Sequence, residues 1–437
     1  MFNNENENKI FKKYYPNGTI KLEMYHLNHK LHRNDGPALI EYCQNGQKLS
    51  EIWYYENKKH RKNDEPTQID YYCDEKNHNK IKNLMWFYDN KLHREDGPAL
   101  IEFYYNNSSI KKSGQNNEWY INGVLHREDG PAVEKLLKNK EKINEWYING
   151  ILHREDGPAV EKLLNKNDII NEWYQNGLLH RKNGPAIQIL YNSENNNEKI
   201  NEWYINGVLH RENGPAIQII LNNDCEQQLS CKKINEWYIN GVLHREDGPA
   251  IIGWFDDLGE PSSNGNKVNK WYQNGKLHRE NGPAIKKWLK SGKIKEWYLN
   301  GLKHRDNNPA VEILLNNGKK VKEWWINNKL HRENGPAIIG WFYLGLPYSK
   351  GNKVKKWYLN GKLHRKIGPA IQIWLDNNCE QQSCKKIEEW YLNGLLHRED
   401  GPAIIGWFDD LGEPSSNGNK VKKWYLNDIL YKEIIDE

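Results

Sequence analysis

The sequence predicts an all-β protein built as an elongated repeat array, a single-layer antiparallel β-meander in which one hairpin unit follows another. Three observations predict it. The stretch Glu118-Trp119-Tyr120-Ile121-Asn122-Gly123-Val124-Leu125-His126-Arg127-Glu128-Asp129-Gly130-Pro131-Ala132 recurs, with small changes, about thirteen times. A repeat of this kind overrides the prior that 437 residues form two or three globular domains. Asn-Gly stands mid-copy between runs rich in Trp, Tyr, Val and Leu, which is the strongest short hairpin signal. Hydrophobic residues make up only 37% of the chain, yet 19 Trp and 25 Tyr are present. That suits a thin sheet held by large aromatics better than a spherical core.

The His-Arg pair sets the register. It falls at His32, His60, His93, His126, His153, His180, His210, His244, His278, His304, His331, His364 and His397, in steps of 26 to 34 residues. The unit is therefore constant and its connector elastic. Within a unit, a two-residue turn at Asn122-Gly123 pairs Ile121 with Val124, Tyr120 with Leu125, Trp119 with His126 and Glu118 with Arg127. Alternation then puts Trp119, Ile121, Val124 and His126 on one face, and Glu118, Tyr120, Leu125 and Arg127 on the other. Pro131 has no N–H, so the strand kinks there before the next apolar run. Each unit is expected to hold two long strands, one of them kinked. At about 4.8 Å per strand, thirteen units would span roughly 125 Å as a rod or twisted ribbon.

Three regions are expected: residues 1–30, an N-terminal cap with a variant hairpin at Tyr15-Pro16-Asn17-Gly18; residues 31–423, the array; and residues 424–437, a degenerate last copy and cap, with Tyr431 in the histidine slot. Residues 225–285 and 379–433 nearly duplicate each other, so a block of units was copied whole. Two sheet ends invite end-to-end self-association, and a monomer or such a dimer is expected.

The net charge of +5 reads as spread along the chain, too weak to argue for a polyanion by itself. With no secretory leader pattern and no long apolar run, a cytoplasmic protein without a transmembrane segment is expected. Cys225/Cys231 and Cys379/Cys384 sit in two versions of one connector with five and four residues between them. That variable spacing argues against a zinc knuckle and leaves free thiols or a small loop disulfide.

The recurring side chains are the candidate site. All 13 arginines follow a repeat histidine, in a chain with 50 lysines. A bare charge would have drifted to Lys, so the planar five-donor guanidinium must matter. Because Lys270 and Lys356 stand where other units have Glu, the constant partner should be a backbone carbonyl at the Gly-Pro kink, or a Tyr ring. The histidines, about 10 Å apart, cannot share a metal; packing on Trp and bonding a turn is the expected role. The ladder Trp119, His126, Arg127, Trp146, His153, Arg154, Trp173, His180, Arg181, Trp203, His210, Arg211, Trp237, His244 and Arg245 is thus structural first and a binding face second. No catalytic residue, metal ligand or cofactor is expected, since an active site is a unique constellation and these groups recur.

The pattern Trp-x-x-Asn-Gly-x-x-His resembles the MORN repeat, and Tyr15-Pro16-Asn17-Gly18 resembles the variant of bacterial YwqK-type proteins. The long form Trp-Tyr-x-Asn-Gly-x-Leu-His-Arg-x-Asp-Gly-Pro-Ala is similar to arrays of amoeba-infecting giant viruses of the mimivirus kind. The resemblance covers roughly residues 14–431, with Arg-x-Asp-Gly-Pro-Ala where MORN units have Gly-x-Gly. It implies a hairpin solenoid acting as a scaffold or interaction platform, in host cytoplasm or virion. The expected function is a non-enzymatic scaffold with protein partners. The alternatives are a membrane-surface or phosphoinositide-binding array, which Lys276, Lys303, Lys329 and Lys362 would serve, and single-stranded nucleic-acid binding on Trp-Tyr pairs, which is disfavoured.

Overall fold

The computed structural model describes residues 8–73, 80–105, 112–137, 139–164, 168–193, 196–221, 232–343, 346–347, 351–375 and 385–436. Among the described residues there are strands and turns and no helix. The chain divides into two compact units, Met1–His210 with Asn222–Gln228, and Arg211–Leu221 with Leu229–Glu437. Each is an antiparallel meander, as the repeat predicts. Of the described strands, 31 belong to the main ladders and the rest form twelve separate two-stranded hairpins.

The Asn-Gly turn forms as expected. Asn122 and Gly123 have φ of 53° and 87°, both positive as a type I′ turn requires. Tyr120 pairs with Leu125 and Ile121 with Val124. His126 N–H donates to the Trp119 carbonyl at 3.0 Å. There the hairpin ladder stops, and the expected Glu118–Arg127 pair is not made. Glu118 belongs to a different ladder, opposite Leu100 on one side and Val133 on the other. Arg127 N–H donates instead to the carbonyl of Tyr147, in the following unit, at 3.1 Å.

The cause is one competing hydrogen bond. The loop from His126 to Pro131 brings Ala132 back beside Trp119, and Trp119 N–H donates to its carbonyl at 2.8 Å. Trp119 becomes a pivot. The chain before it lies in the main sheet, and the chain after it lies in a separate short hairpin. The two long strands per unit therefore resolve into four short ones, such as Lys112–Glu118, Tyr120–Ile121, Val124–Leu125 and Val133–Leu136. The pivot leaves no room beside it. Twelve alanines in the Ala132 slot are 0% exposed. In the second sequence repeat Thr67 takes the slot, and Trp53 N–H still donates to its carbonyl at 2.9 Å.

The main strands present two faces. One is apolar and carries the core: Val133, Val160, Ile234, Val311, Val321 and Ile387 are all buried. Each such side chain contributes about 1.5–3 kcal/mol by leaving water. The other face is polar and is described below.

The last copy shows what happens without the pivot. No Gly-Pro-Ala follows Tyr431, and Asn419–Leu426 runs on beside Ile429–Asp436, with Trp424 opposite Lys432 and Tyr425 opposite Leu430. At the other terminus Asn8–Tyr14 pairs along Ile20–Leu27. Cys43 and Cys73 form a disulfide. Cys225, Cys231, Cys379 and Cys384 lie outside the described residues.

Candidate functional site

The arginine slot is built by three neighbours. Arg127 Nη1 donates to the Pro131 carbonyl at 3.1 Å, the backbone partner expected at the kink. Its guanidinium carbon lies 4.0 Å from the centre of the Trp119 ring. The stacking partner is thus Trp rather than Tyr, and the alternation that separated Trp119 from Arg127 does not hold past the pivot. The first sequence repeat keeps the slot. Its residue there is Tyr25, and Arg33 stacks on that ring at 4.2 Å. On the opposite side lies Gly130, where an added Cβ would meet the Arg127 guanidinium carbon at 2.8 Å. A flat cation fits between an indole and a bare backbone. A tetrahedral ammonium does not fill that slot, which is why Lys never replaces it.

The same arrangement repeats at Arg154 on Trp146, Arg181 on Trp173 and Arg245 on Trp237, at 3.9, 3.8 and 4.0 Å. Arg211 keeps its bond to the Pro215 carbonyl at 3.0 Å, and His210 N–H donates to the Trp203 carbonyl at 3.0 Å.

Two versions of the loop differ in charge. Arg127, Arg154, Arg245 and Arg398 each bond the Asp two residues on, through Nε, at 2.8–3.0 Å. Arg127 and Arg154 also reach Glu134 and Glu161, both at 3.0 Å. Those arginines hold Asp129, Asp156, Asp247 and Asp400 below the usual carboxylate range, chiefly by hydrogen bonding. At Arg181, Arg211, Arg279, Arg332 and Arg365 the second residue on is Asn or Ile instead. Burial pulls down the pKa of these five guanidinium groups.

The histidines bond a turn, as expected, but it is the turn of the next unit. Nδ1 of His93, His126, His153, His180 and His244 accepts the N–H of Asn122, Asn149, Asn176, Asn206 and Asn274 at 3.1–3.2 Å. Nδ1 of His180 and His244 also lies 2.9 Å from Oδ1 of Asn206 and Asn274, so the ring meets both the backbone and the side chain of the turn. Gly150 N–H donates to the Leu125 carbonyl beside it, at 2.7 Å. Histidine, arginine and turn are therefore the seam between units. Among the described residues no three His, Cys, Asp or Glu converge as metal ligands.

The Glu expected opposite Arg serves a phenol. Tyr120, Tyr174, Tyr204 and Tyr391 donate to Glu118, Glu172, Glu202 and Glu389 at 2.8–3.1 Å. Burial, then the adjacent carboxylate, raises Tyr147, Tyr174 and Tyr204 to about 12.

The polar face of the main sheet was not singled out from sequence. In the second unit, cross-strand register aligns Trp254, Lys267, Trp288, Lys293, Leu314 and Lys320 in one row. Trp341, Lys353, Trp374 and Lys386 occupy the same slots further on, then Trp407 and Lys420. Rings and ammonium groups alternate from strand to strand. Lys267 lies 5.5 Å from Trp254 and 5.6 Å from Trp288. Lys353 lies 5.9 Å from Trp341 and 5.6 Å from Trp374. Two residues along, the same face adds Lys286, Lys295, Lys322, Lys355 and Lys422, against Glu312 and Glu388. Burial and then the nearby Arg279 and Lys295 lower the pKa of Lys286. In the first unit the corresponding row is Leu136, Lys142, Leu163, Ile169, Leu190 and Lys199. Its inner slots hold Glu134, Asn144, Glu161, Asn171 and Gln188.

The charge is thus not spread along the chain. Residues 266–366 hold 23 Lys and Arg against 6 Asp and Glu. A sum over the whole chain hides this, and a sliding count would have found it.

The residue after each turn Gly forms a third row. Val124, Ile151, Leu178 and Val208 are 43–50% exposed. An added Cβ on Gly150 would lie 3.6 Å from Val124, so successive turns stack along this edge. Lys276, Lys329 and Lys362 are exposed in this row. Lys303 leaves it, lying partly buried 3.4 Å from Glu296.

No family model and no curated protein matches the chain.

Proposed function

We propose that the protein is a non-enzymatic repeat scaffold whose turn edge docks protein partners, a MORN-like array in plan. The observation that carries this is the exposed apolar stripe Val124, Ile151, Leu178 and Val208. Single exposed apolar residues are ordinary, but a contiguous stripe marks an interaction surface. The Trp, His and Arg side chains are engaged in holding units together, which leaves the edge to do the binding. Repetition of one environment suits a platform for a partner rather than a reaction centre.

The test replaces all four residues with Lys, which other units carry at this slot, so the turns are kept. Tagged wild-type and variant protein are used to capture partners from cell lysate, with nuclease and detergent in parallel arms. A small set of proteins retained by wild type in both arms and lost by the variant is expected. Equal recovery by the variant, or a collapse with nuclease or detergent, would overturn the reading.

A further inference from the structure

We infer that the Trp–Lys face of the second unit binds single-stranded nucleic acid, laid across the strands along the alternating row. The inference does not rest on the scaffold reading, since it uses a different surface.

Three features carry it. The first is charge: the face between Ile251 and Lys423 holds eleven lysines against two glutamates. Like charges this crowded repel one another, and a polyanion relieves that repulsion while releasing its own counterions. Lys267, Lys293, Lys295, Lys320 and Lys322 are exposed, so their ammonium groups meet solvent. The second is the rings. Trp288, Trp341, Trp374 and Trp407 are only partly buried, and each stands between lysines of flanking strands. Cationic groups that track a backbone, interleaved with rings on which bases stack, make up the general recognition surface for a single strand. The third is spacing. Every second strand offers Trp, except at Leu314, so rings stand about 9.6 Å apart, or about twice that across Leu314, and the row crosses twelve strands over about 53 Å.

A bilayer would also meet lysine and tryptophan. It would meet them in a rim around an inserting apolar patch, however, whereas here they alternate in one line. A folded acidic protein would match the charge but gives the rings no flat partners. A duplex buries its base faces and offers only phosphates.

The test uses the full chain and a labelled oligothymidylate of about 30 nucleotides, followed by anisotropy and by tryptophan quenching. Binding is expected to weaken steeply between about 50 and 200 mM salt. Lys293→Gln with Lys320→Gln and Lys322→Gln should lower the log–log salt slope by about 2. Trp341→Leu with Trp374→Leu should weaken binding about tenfold or more. Leucine is already accommodated in this slot at Leu314 and Leu163, so the sheet is kept, and circular dichroism verifies it. A duplex of equal length and polyglutamate should bind more weakly than the single strand. The inference is overturned by no binding at low salt, by equal affinity for duplex or polyglutamate, by Leu variants that bind as wild type, or by preferential binding to phosphatidylserine vesicles. The turn-edge Lys variant should bind the oligonucleotide as wild type does, so failure here and failure of the scaffold reading are distinguishable.

Discussion

The strands of Met1–His210 and those of Leu229–Glu437 follow one plan and differ on one face. In both, a Trp amide captures an Ala carbonyl thirteen residues on, an Arg lies between indole and Gly, and a His joins its turn to the next. In both, the inner face is apolar. On the polar face the first unit sets Glu, Asn and Gln at inner slots where the second has several Lys, and Leu where the second sets Trp. The scaffold is held by residues that do not vary, which frees the polar face to vary without loss of fold. The difference teaches which residues are structural: those that survive the change of face.

The largest effect should come from the shared pivot. Ala159→Leu in the first unit and Ala370→Leu in the second both place a large side chain where exposure is 0%. Overpacking should cost about 1–3 kcal/mol at either site. Urea denaturation measures it, and hydrogen exchange by mass spectrometry should show protection lost around the altered repeat. Loss at one site alone would break the claim of a common plan.

A smaller effect should separate the two arginine loops. Arg127 bonds Asp129 and Glu134 besides the Pro131 carbonyl. Arg279 has the Pro283 carbonyl at 3.3 Å and the Trp271 ring at 4.1 Å, with Asn281 and Lys286 in place of the two acids. Arg127→Ala should therefore cost more than Arg279→Ala. Asp129 is exposed and Glu134 half-buried, so solvent screening keeps the difference small. Equal losses in denaturation would show the acids to be idle.

The smallest effect is one of pH. The folded-state pKa of Asp129, Asp156, Asp247 and Asp400 lies below the unfolded value. A depressed carboxylate contributes stability above its unfolded pKa, about 4, and that contribution is lost as pH falls through the folded one. The variant with all four changed to Asn should melt below wild type at neutral pH, and the gap should close as pH falls below about 4. A gap that persists unchanged at low pH would assign these residues a role other than pairing with Arg.

Much of this was legible in the sequence. Asn-Gly between aromatic and aliphatic runs specifies a type I′ turn locally, and the turn is there. The exclusion of Lys after His pointed correctly to a planar cation at the Gly-Pro kink. The pivot was not legible, because Ala132 meets Trp119 only after the intervening loop has closed. Simple alternation therefore carried the hairpin one pair too far, assigned Glu118 to Arg127, and put Trp119 on the wrong side of it. The polar face was missed for another reason. Trp288 and Lys293 are neighbours only by register, and register between main strands is set by connectors whose lengths vary.

Those connectors have a further consequence. The bonds at the seam run between His, Arg and the turn, at the margin of the sheet away from the connectors. Connector length enters none of them. Within each compact unit the seam thus repeats at a constant register while connector length varies from repeat to repeat. A peptide or small domain spliced into a connector would therefore leave the histidine and arginine seam of its own unit in register, as a graft on a scaffold does.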